Sequence, residues 1–369
     1  MRKGRIFGFA VGGVLLASFA VTRACVGERG SGAGSSNSSA NSSKTDPPRR
    51  SGPPAGRSSG ALPAIAASAV TEVARSDAGT SRVVFFSPWG GSDKSQLGRE
   101  RLQEGNPTAP MSVTRDAKGR IYVLDQVNDR VVRYGADGKP EGVSEMKLLA
   151  AQDLAVGNDG SMAVLDRLAD KTIALYDEGG ALRGQLPLEG EGVEETGLLT
   201  GVFVDGTDVY VEREHGPLVK IGDTSGKPAE PRSEIPGRPS RDGLSYLNAG
   251  IINGPAGRAY VSSIERSSGE HRFTRELRLR APIRSIVLLD SDKAGIIYFA
   301  TEVELEAGGD AVLLTCLDPL SGIPIGSATL PANTLPEETF RDLTVQDEGG
   351  VIYALRSEQG VSYLHYDCN

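Results

Sequence analysis

The feature that most constrains the fold of this chain is a short motif that returns six times. Each copy begins with a glycine and continues into an apolar strand, as in residues 119–125 (GRIYVLD) and 160–166 (GSMAVLD). The glycines that begin the six copies are Gly119, Gly160, Gly206, Gly257, Gly295 and Gly350. A period of about forty to fifty residues is typical of folds that are built from repeated units packed side by side.

The sequence places further strands around each motif. A short apolar segment precedes it, as in residues 111–114, and a turn such as residues 136–138 leads to a weaker fourth strand. A third strand follows a polar loop, as in residues 130–134, 172–176 and 311–316. Three to four strands per repeat is the pattern of a β-propeller blade, because small sheets bury their faces by standing in a ring.

We therefore predict an all-β fold with a six-bladed β-propeller over residues 76–369. The spacings of 51 residues between Gly206 and Gly257 and of 55 between Gly295 and Gly350 are long enough to hide an extra strand pair, so a seven-bladed ring is the alternative.

The two ends of the predicted propeller complement each other. The last repeat ends after its third strand, residues 361–366, and an unassigned strand, residues 82–87, precedes the first repeat. We expect this strand to become the fourth strand of the last blade. The ring would then be closed between the two ends of the chain, with no exposed strand edge at the junction.

Residues 107–143 resemble an NHL repeat, with its proline, Asp-x-x-Gly turn, Ile-Tyr-Val strand and Asn-x-Arg-Val element. Residues 150–188 match less fully, since Asp166 is kept but Ala163 replaces the tyrosine and residues 169–171 replace Asn-x-Arg. The later four repeats match only in the Gly-x-x-Tyr strand. The resemblance implies a propeller that binds a protein, peptide or glycan partner on one face.

The N-terminal residues 1–25 predict a signal peptide or membrane anchor. A basic start is followed by residues 6–21 without any charge. Such a stretch spans about 24 Å as a helix, short of the roughly 30 Å of a bilayer core, and suits a signal peptide or an anchor that thins the bilayer.

Residues 22–25 resemble a bacterial lipoprotein cleavage box and predict lipidation of Cys25. Thr22 stands where leucine is usual, and Arg23 is unusual in such a box. An uncleaved anchor and ordinary signal cleavage are the alternatives. In each case the signal predicts export to the cell envelope, on its periplasmic or extracellular face.

Residues 26–75 form a Ser-, Gly- and Pro-rich linker with few apolar residues, which predicts a disordered tether. Residues 64–75 at its end are expected to form a short helix that leads into the propeller. The linker would hold the propeller away from the membrane.

The chain has three cysteines. If lipid occupies Cys25, Cys316 and Cys368 remain near the ends of predicted third strands in neighbouring blades. The sequence leaves two alternatives open for them, a disulfide between Cys316 and Cys368 or two buried thiols.

Charge restricts the partners. The net charge is −8 although the basic residues before residue 64 outnumber the acidic ones, so the propeller itself is acidic. An acidic domain lacks the basic surface that nucleic acids require and does not dock on anionic lipid. We expect no nucleic-acid partner and contact with a membrane only through the N-terminus.

The predicted binding face contains the loops between second and third strands together with the starts of the innermost strands. Polar residues at such a face are the default site for a partner. The candidates are Asp125, Asn128, Asp129, Asp153, Arg167, Asp170, Asn248, Arg284, Arg341 and Asp342.

Catalytic motifs do not stand out. The three histidines are scattered, and Gly-x-Ser-x-Gly, P-loop and His-Glu-x-x-His patterns are missing from the sequence. We predict a non-catalytic binding or scaffold module without a cofactor. The alternative is a metal-dependent hydrolase or lactonase of the six-bladed type, with a divalent cation held in the central channel by Asp153, Asn248 and Asp342.

Overall fold

The computed structural model describes residues 70–73, 80–213 and 216–368 of the 369-residue chain. Within these ranges the regular structure is made of strands, with two single-turn 3-10 helices, Gln126–Asn128 and Thr196–Leu198. The strands form six sheets. The fold class predicted from the sequence is therefore confirmed.

The N-terminal predictions fall mostly outside the described residues. This applies to the signal peptide or anchor (residues 1–25), to the lipidation site Cys25 and to residues 26–69 of the linker. Among the residues that are described, no helix is long and apolar enough to cross a membrane.

The six sheets are the blades of a propeller. Within each blade the strands are given in order from the innermost, first strand to the outermost strand. Two strands come before the first blade: β1 (Val70–Glu72) and β2 (Ser81–Pro88). Blade 1 contains β3 (Ser112–Arg115), β4 (Ile121–Asp125), β5 (Arg130–Tyr134) and β6 (Pro140–Glu145). Blade 2 contains β7 (Asp153–Val156), β8 (Met162–Asp166), β9 (Thr172–Tyr176) and β10 (Leu182–Pro187). Blade 3 contains β11 (Leu199–Asp205), β12 (Asp208–Arg213), β13 (Leu218–Asp223) and β14 (Glu234–Ile235).

The other three blades follow in chain order. Blade 4 contains β15 (Arg238–Pro239), β16 (Ser245–Asn253), β17 (Arg258–Glu265) and β18 (His271–Arg278). Blade 5 contains β19 (Ile283–Ser291), β20 (Ile297–Glu304), β21 (Asp310–Leu317) and β22 (Pro324–Pro331). Blade 6 contains β23 (Leu343–Val345), β24 (Val351–Ser357), β25 (Gly360–Tyr366) and β2. Six blades account for the described sheets, so the seven-bladed alternative is wrong.

The ring closes as the sequence predicts. β2 pairs antiparallel with β25, with Val83 opposite Leu364 and Phe85 opposite Tyr363. The ring of Phe85 stacks on Tyr363 at 4.2 Å and on Tyr134 of blade 1 at 4.4 Å. An N-terminal strand thus completes the last blade and also joins it to the first.

The motif turns explain why the sequence repeats. Gly119 has φ +80°, which a residue with a side chain adopts only with strain, and its N–H donates to the Asp116 carbonyl at 3.0 Å. The Asp116 carboxylate accepts a hydrogen bond from the buried Tyr122 hydroxyl at 3.1 Å. Blade 5 repeats this arrangement with Gly295, Asp292 and Tyr298.

Blade 4 differs from the prediction. The motif that begins at Gly257 was expected on a second strand, yet it forms β17, the third strand. The first position is taken by β15, which has only two residues and therefore no apolar pattern to recognise. The strand direction confirms the shift. First strands of neighbouring blades run in the same direction, so the start of β19 should lie beside the start of the first strand of blade 4. The Ile283 N–H at the start of β19 instead donates to the Gly254 carbonyl just after the end of β16, so β16 runs in the opposite direction, as a second strand does.

β1 adds a fifth strand to blade 4. It pairs in parallel with β18, with Val70 opposite Glu276, and Val73 beyond its end is buried between blades 4 and 5. The helix expected over residues 64–75 is therefore wrong at β1. The open edge of β18 offers unpaired backbone groups, and β-branched residues such as Thr71 and Val73 favour extended structure.

Apolar side chains join five of the six pairs of neighbouring blades. The buried clusters in the described residues lie between blades 1 and 2, 2 and 3, 4 and 5, 5 and 6, and 6 and 1. Blades 3 and 4 are joined by ion pairs instead. Arg238 donates to both carboxylate oxygens of Glu212, at 2.6 and 2.8 Å, and Arg266 binds Asp205 at 2.5 and 3.2 Å. We call this boundary the polar joint.

A disulfide connects Cys316 of β21 with Cys368 beyond β25, with 6.1 Å between their Cα atoms. Of the two alternatives for these cysteines, the disulfide is present in the structure. It fastens the C-terminal end of blade 6 to blade 5 across a loop of 52 residues.

Replacement of Phe85 by alanine should lower the free energy of unfolding by about 2–4 kcal/mol, because two aromatic stacks across the closure are lost. The neighbouring Phe86 is 46% exposed and is a matched control, so Phe86→Ala should cost under about 1 kcal/mol. Urea denaturation of both variants measures the difference. Equal losses would contradict the role of Phe85 in closing the ring.

Reduction of the disulfide should lower the free energy of unfolding by about 4 kcal/mol, the value that loop-closure entropy gives for a loop of this length. The measurement is the urea midpoint with and without dithiothreitol. The Cys316→Ser/Cys368→Ser variant is the control and should not respond to the reductant. An unchanged midpoint of the wild-type protein would show that the bond does not restrain the unfolded chain.

Candidate functional site

The two ends of the channel lie on different faces of the propeller. The loop face carries the loops between second and third strands and the connections that lead into each first strand. The turn face carries the turns between first and second strands and between third and fourth strands. All ten predicted binding residues were assigned to the loop face.

Asp125 is fully buried and holds other parts of the loop face together. Its carboxylate accepts hydrogen bonds from the Gly98 N–H, the Asn128 amide and the Arg130 guanidinium, each at 2.8 Å. Burial raises the pKa of this carboxyl above its usual value. The Asp and Asn-x-Arg elements of the first repeat thus anchor the segment 89–110, which crosses the loop face. They are not free for a partner.

Blade 2 uses its acids in the same way. The buried Asp166 accepts hydrogen bonds from the backbone N–H groups of Ala150, Leu168 and Ala169, at 2.8 to 3.2 Å. Asp170 accepts one from the Leu149 N–H at 3.1 Å. These carboxylates fix the conformation of two neighbouring loops.

Two further candidates lie on the loop face. Asp129 is exposed, and its carbonyl accepts a hydrogen bond from the Met146 N–H at 2.8 Å. Arg284, near the start of β19, pairs with Asp310 at 2.8 Å. Its side chain is half exposed, so a partner could still reach it.

The shift in blade 4 removes Asn248 from the predicted group. It lies in the middle of the second strand β16, and its side-chain oxygen accepts a hydrogen bond from the Tyr260 hydroxyl at 3.0 Å. The loop of residues 265–270, expected on the loop face, follows the third strand and lies on the turn face. Arg266 in this loop accordingly reaches Asp205 at the end of β11. The assignment of both to the loop face was wrong.

Asp153 and Arg341 meet across the channel. The fully buried Asp153 carboxylate accepts hydrogen bonds from the Ser112 hydroxyl at 2.6 Å, the Val202 N–H at 2.9 Å and Arg341 at 2.5 Å. The guanidinium of Arg341 also lies over the ring of Phe203, 5.2 Å from its centre. This contact ties blade 6 to blades 2 and 3.

Asp342 has a different set of partners. Its carboxylate accepts hydrogen bonds from the Asn333 amide at 2.9 Å and from the Thr339 hydroxyl at 3.1 Å, and Arg356 lies at 3.4 Å. Burial raises the pKa of this carboxyl. Asp153, Asn248 and Asp342 therefore each bind other protein groups. No set of three or more His, Cys, Asp or Glu side chains is arranged to hold a metal ion within residues 70–73, 80–213 and 216–368.

The channel contains a cavity of about 750 Å³, within the range of small-molecule sites. Its lining mixes guanidinium groups, carboxylates and aliphatic side chains from all six blades and from the β15–β16 connection. Arg238 and Arg341 both lie over Phe203, and Arg167 lies over Phe340 at 5.1 Å.

Sequence reasoning missed an apolar group on the loop face. Leu149 is 80% exposed, Leu168 56% and Leu198 40%. They belong to three loops of blades 1 to 3, and the hydrogen bonds of Asp166, Asp170 and Arg167 connect those loops. We call these three residues the leucine patch. Each is a single leucine in a polar loop, so no sequence pattern marks it.

No protein-family model matches the sequence, and no curated protein sequence matches it. Solved structures of similar fold include hydrazine synthase of Kuenenia stuttgartiensis, at 16% identity and a TM-score of 0.45, covering 70% of this chain and 76% of that one. Virginiamycin B lyase from Staphylococcus aureus is 14% identical with a TM-score of 0.40, covering 73% of this chain and 99% of the lyase. The U3-55K structure is 10% identical with a TM-score of 0.43, covering 72% and 98%. These are likenesses of fold at low identity, and no activity of this chain follows from them.

Calcium or zinc added after EDTA treatment should leave the melting temperature unchanged, because the three proposed ligands already bind separate protein groups. Asp153→Ala should lower the melting temperature with or without metal, since it leaves Arg341 without its carboxylate. Differential scanning calorimetry measures both. A rise of several degrees with metal that disappears in Asp153→Ala would instead support the metal-dependent hydrolase.

Proposed function

We propose that this chain is a non-catalytic binding module, tethered in the cell envelope, whose loop face binds a protein or peptide partner. The observation that supports it is the leucine patch. Solvent-exposed leucines that stand together on one face are typical of surfaces that bind another protein.

The patch has the properties of a prepared surface. Its loops are held by the buried Asp166, by Asp170 and by the Arg167 hydrogen bonds to the carbonyls of Gly197 and Leu199, at 2.6 and 2.7 Å. A partner would therefore not need to order these loops, and less conformational entropy would be lost on binding. Each leucine that a partner fully covers contributes about 2 kcal/mol of apolar burial.

The leucine patch favours a protein or peptide over a glycan. Sugars present mainly hydroxyl groups, which the aliphatic side chains of leucine cannot hydrogen-bond. The resemblance of residues 107–143 to an NHL repeat agrees with a protein or peptide partner.

Location in the envelope is proposed on two grounds. The sequence of residues 1–25 has the pattern of an export signal with a lipidation site at Cys25. The Cys316–Cys368 disulfide is of a kind that persists in oxidising compartments outside the cytosol.

A capture experiment tests the function. The full-length chain is crosslinked to its partner in the membranes of its source cells, and the captured partner is measured. Leu149→Ser/Leu168→Ser should reduce the amount of captured partner at least tenfold, because two exposed apolar contacts are lost. The matched control is Leu320→Ser/Ile323→Ser, which changes residues of 71% and 47% exposure in the turn between β21 and β22, on the turn face. Quantitative mass spectrometry after crosslinking compares the three proteins. Identical capture profiles for all three would refute binding at the leucine patch.

A further inference from the structure

One arginine in the channel lacks the partner that the others have. Arg238 pairs with Glu212, Arg241 with Asp290 and Asp347, and Arg341 with Asp153. Arg167 makes no ion pair within the described residues. Its Nη1 donates to the carbonyls of Gly197 and Leu199, and its buried Nε has no hydrogen-bond partner.

The position of Arg167 is unfavourable for a lone cation. Loss of solvation lowers the pKa of this guanidinium from its usual value, and the aromatic ring of Phe340 covers one side of it. Buried charges in proteins are normally paired, because an unpaired charge loses its hydration without compensation. Among the described residues, Arg167 is therefore the one basic side chain of the cavity lining without an ion-paired carboxylate, and Asp153 and Glu338 act on it only from a distance.

Arg341 offers further donors in the same cavity. Its hydrogen bonds to Asp153 and to the Val202 carbonyl both use Nη2. Its Nε and Nη1 have no partner, and neither is enclosed by protein. Because the charges of Arg341 and Asp153 cancel, the pair adds donors without adding net charge. Together with Arg167 it would suit a ligand group of charge −1.

The rest of the cavity indicates the other part of the ligand. Residues 286–289 of β19 form an aliphatic edge of the cavity, where Val287 is partly exposed and the other three side chains are packed between blades. Blade 3 adds the partly buried Val204. The cavity of about 750 Å³ has room for an organic molecule beyond a single anionic group.

We propose that the central channel binds an organic acid, with one carboxylate held by Arg167 and Arg341 and an aliphatic body against the aliphatic edge of β19. Carboxylates match the planar donors of guanidinium and bind them with charge-assisted hydrogen bonds. An inorganic anion would leave the aliphatic edge in contact with water. The proposal concerns a small ligand in the cavity and does not depend on a protein partner at the leucine patch.

Octanoate is the probe, and isothermal titration calorimetry of the purified full-length protein is the measurement. We expect saturable binding at one site per chain. Octanamide, a neutral molecule of the same size, should bind at least tenfold more weakly because it lacks the charge. Inorganic phosphate should also bind at least tenfold more weakly because it lacks the aliphatic body.

The variants test the assigned residue. Arg167→Gln should weaken octanoate binding at least tenfold, while Arg167→Lys keeps the charge and should retain part of the affinity. Arg183→Gln is the matched control, because that arginine lies on the outer strand β10 with its side chain 49% exposed, and it should bind like the wild type. Arg341 is left intact, since its loss would leave Asp153 unpaired.

Three results would overturn the proposal: no binding of octanoate to the wild type, equal binding of octanamide, or unchanged affinity in Arg167→Gln. A urea midpoint for Arg167→Gln close to that of the wild type shows that weaker binding does not come from unfolding. Should the midpoint fall, the affinity ratio of octanoate to octanamide within the variant gives the answer, since loss of the charged contact brings it close to one. Partner capture through the leucine patch is measured separately, so either proposal can fail alone.

Discussion

The stacking of Phe85 between Tyr363 and Tyr134 is the contact on which the ring depends. A blade is a small sheet whose two faces are apolar, and it is stable only when a neighbour covers each face. Five of the six contacts between blades join blades that follow each other in the sequence, but the first and last blades must find each other. β2 brings them together, because it pairs with β25 and places Phe85 against both blades. Ser87 adds a hydrogen bond to the Tyr134 hydroxyl at 3.0 Å.

The polar joint is the counterpart of this closure on the other side of the ring. There Glu212 and Arg238 are both largely buried and bind each other with two hydrogen bonds. A buried ion pair contributes less net stability than apolar packing, although removal of one partner alone is costly. Arg238 also lies over Phe203, as does Arg341. The polar joint and the channel therefore share the aromatic ring of Phe203, so a movement of Arg238 would change the surroundings of Arg341.

The parts of the fold that could be predicted have local signals. The Gly-to-Asp motif marks a strand and its turn, because Gly119 needs a positive φ and Tyr122 bonds back to Asp116. An unassigned strand before the first repeat and a missing fourth strand in the last repeat predict the closure. The strand order of blade 4 could not be predicted, because the two residues of β15 carry no sequence pattern. Without that strand, the motif at Gly257 counts as the second strand although it is the third. The pairing of β1 with β18 joins segments some two hundred residues apart, which no local pattern reveals.

The candidate site was less predictable for a physical reason. Polar type and loop position identify residues that could bind a partner, but they do not tell which already bind the protein itself. The Asp125 carboxylate accepts a hydrogen bond from the Gly98 N–H, and Gly98 lies in a segment without any repeat pattern. Leu149 becomes notable only through its exposure, and Arg167 only because no carboxylate of the described residues forms an ion pair with it. Both properties arise from the assembled blades.

The parallel pairing of β1 has a mechanical consequence. A force applied to the chain before Val70 would reach β1 before it reached β2, and the backbone hydrogen bonds between β1 and β18 would bear it first. Three residues would detach before any force arrived at β2. The outer strand of blade 4 would thus separate under load while the pairing of β2 with β25 still closes the ring.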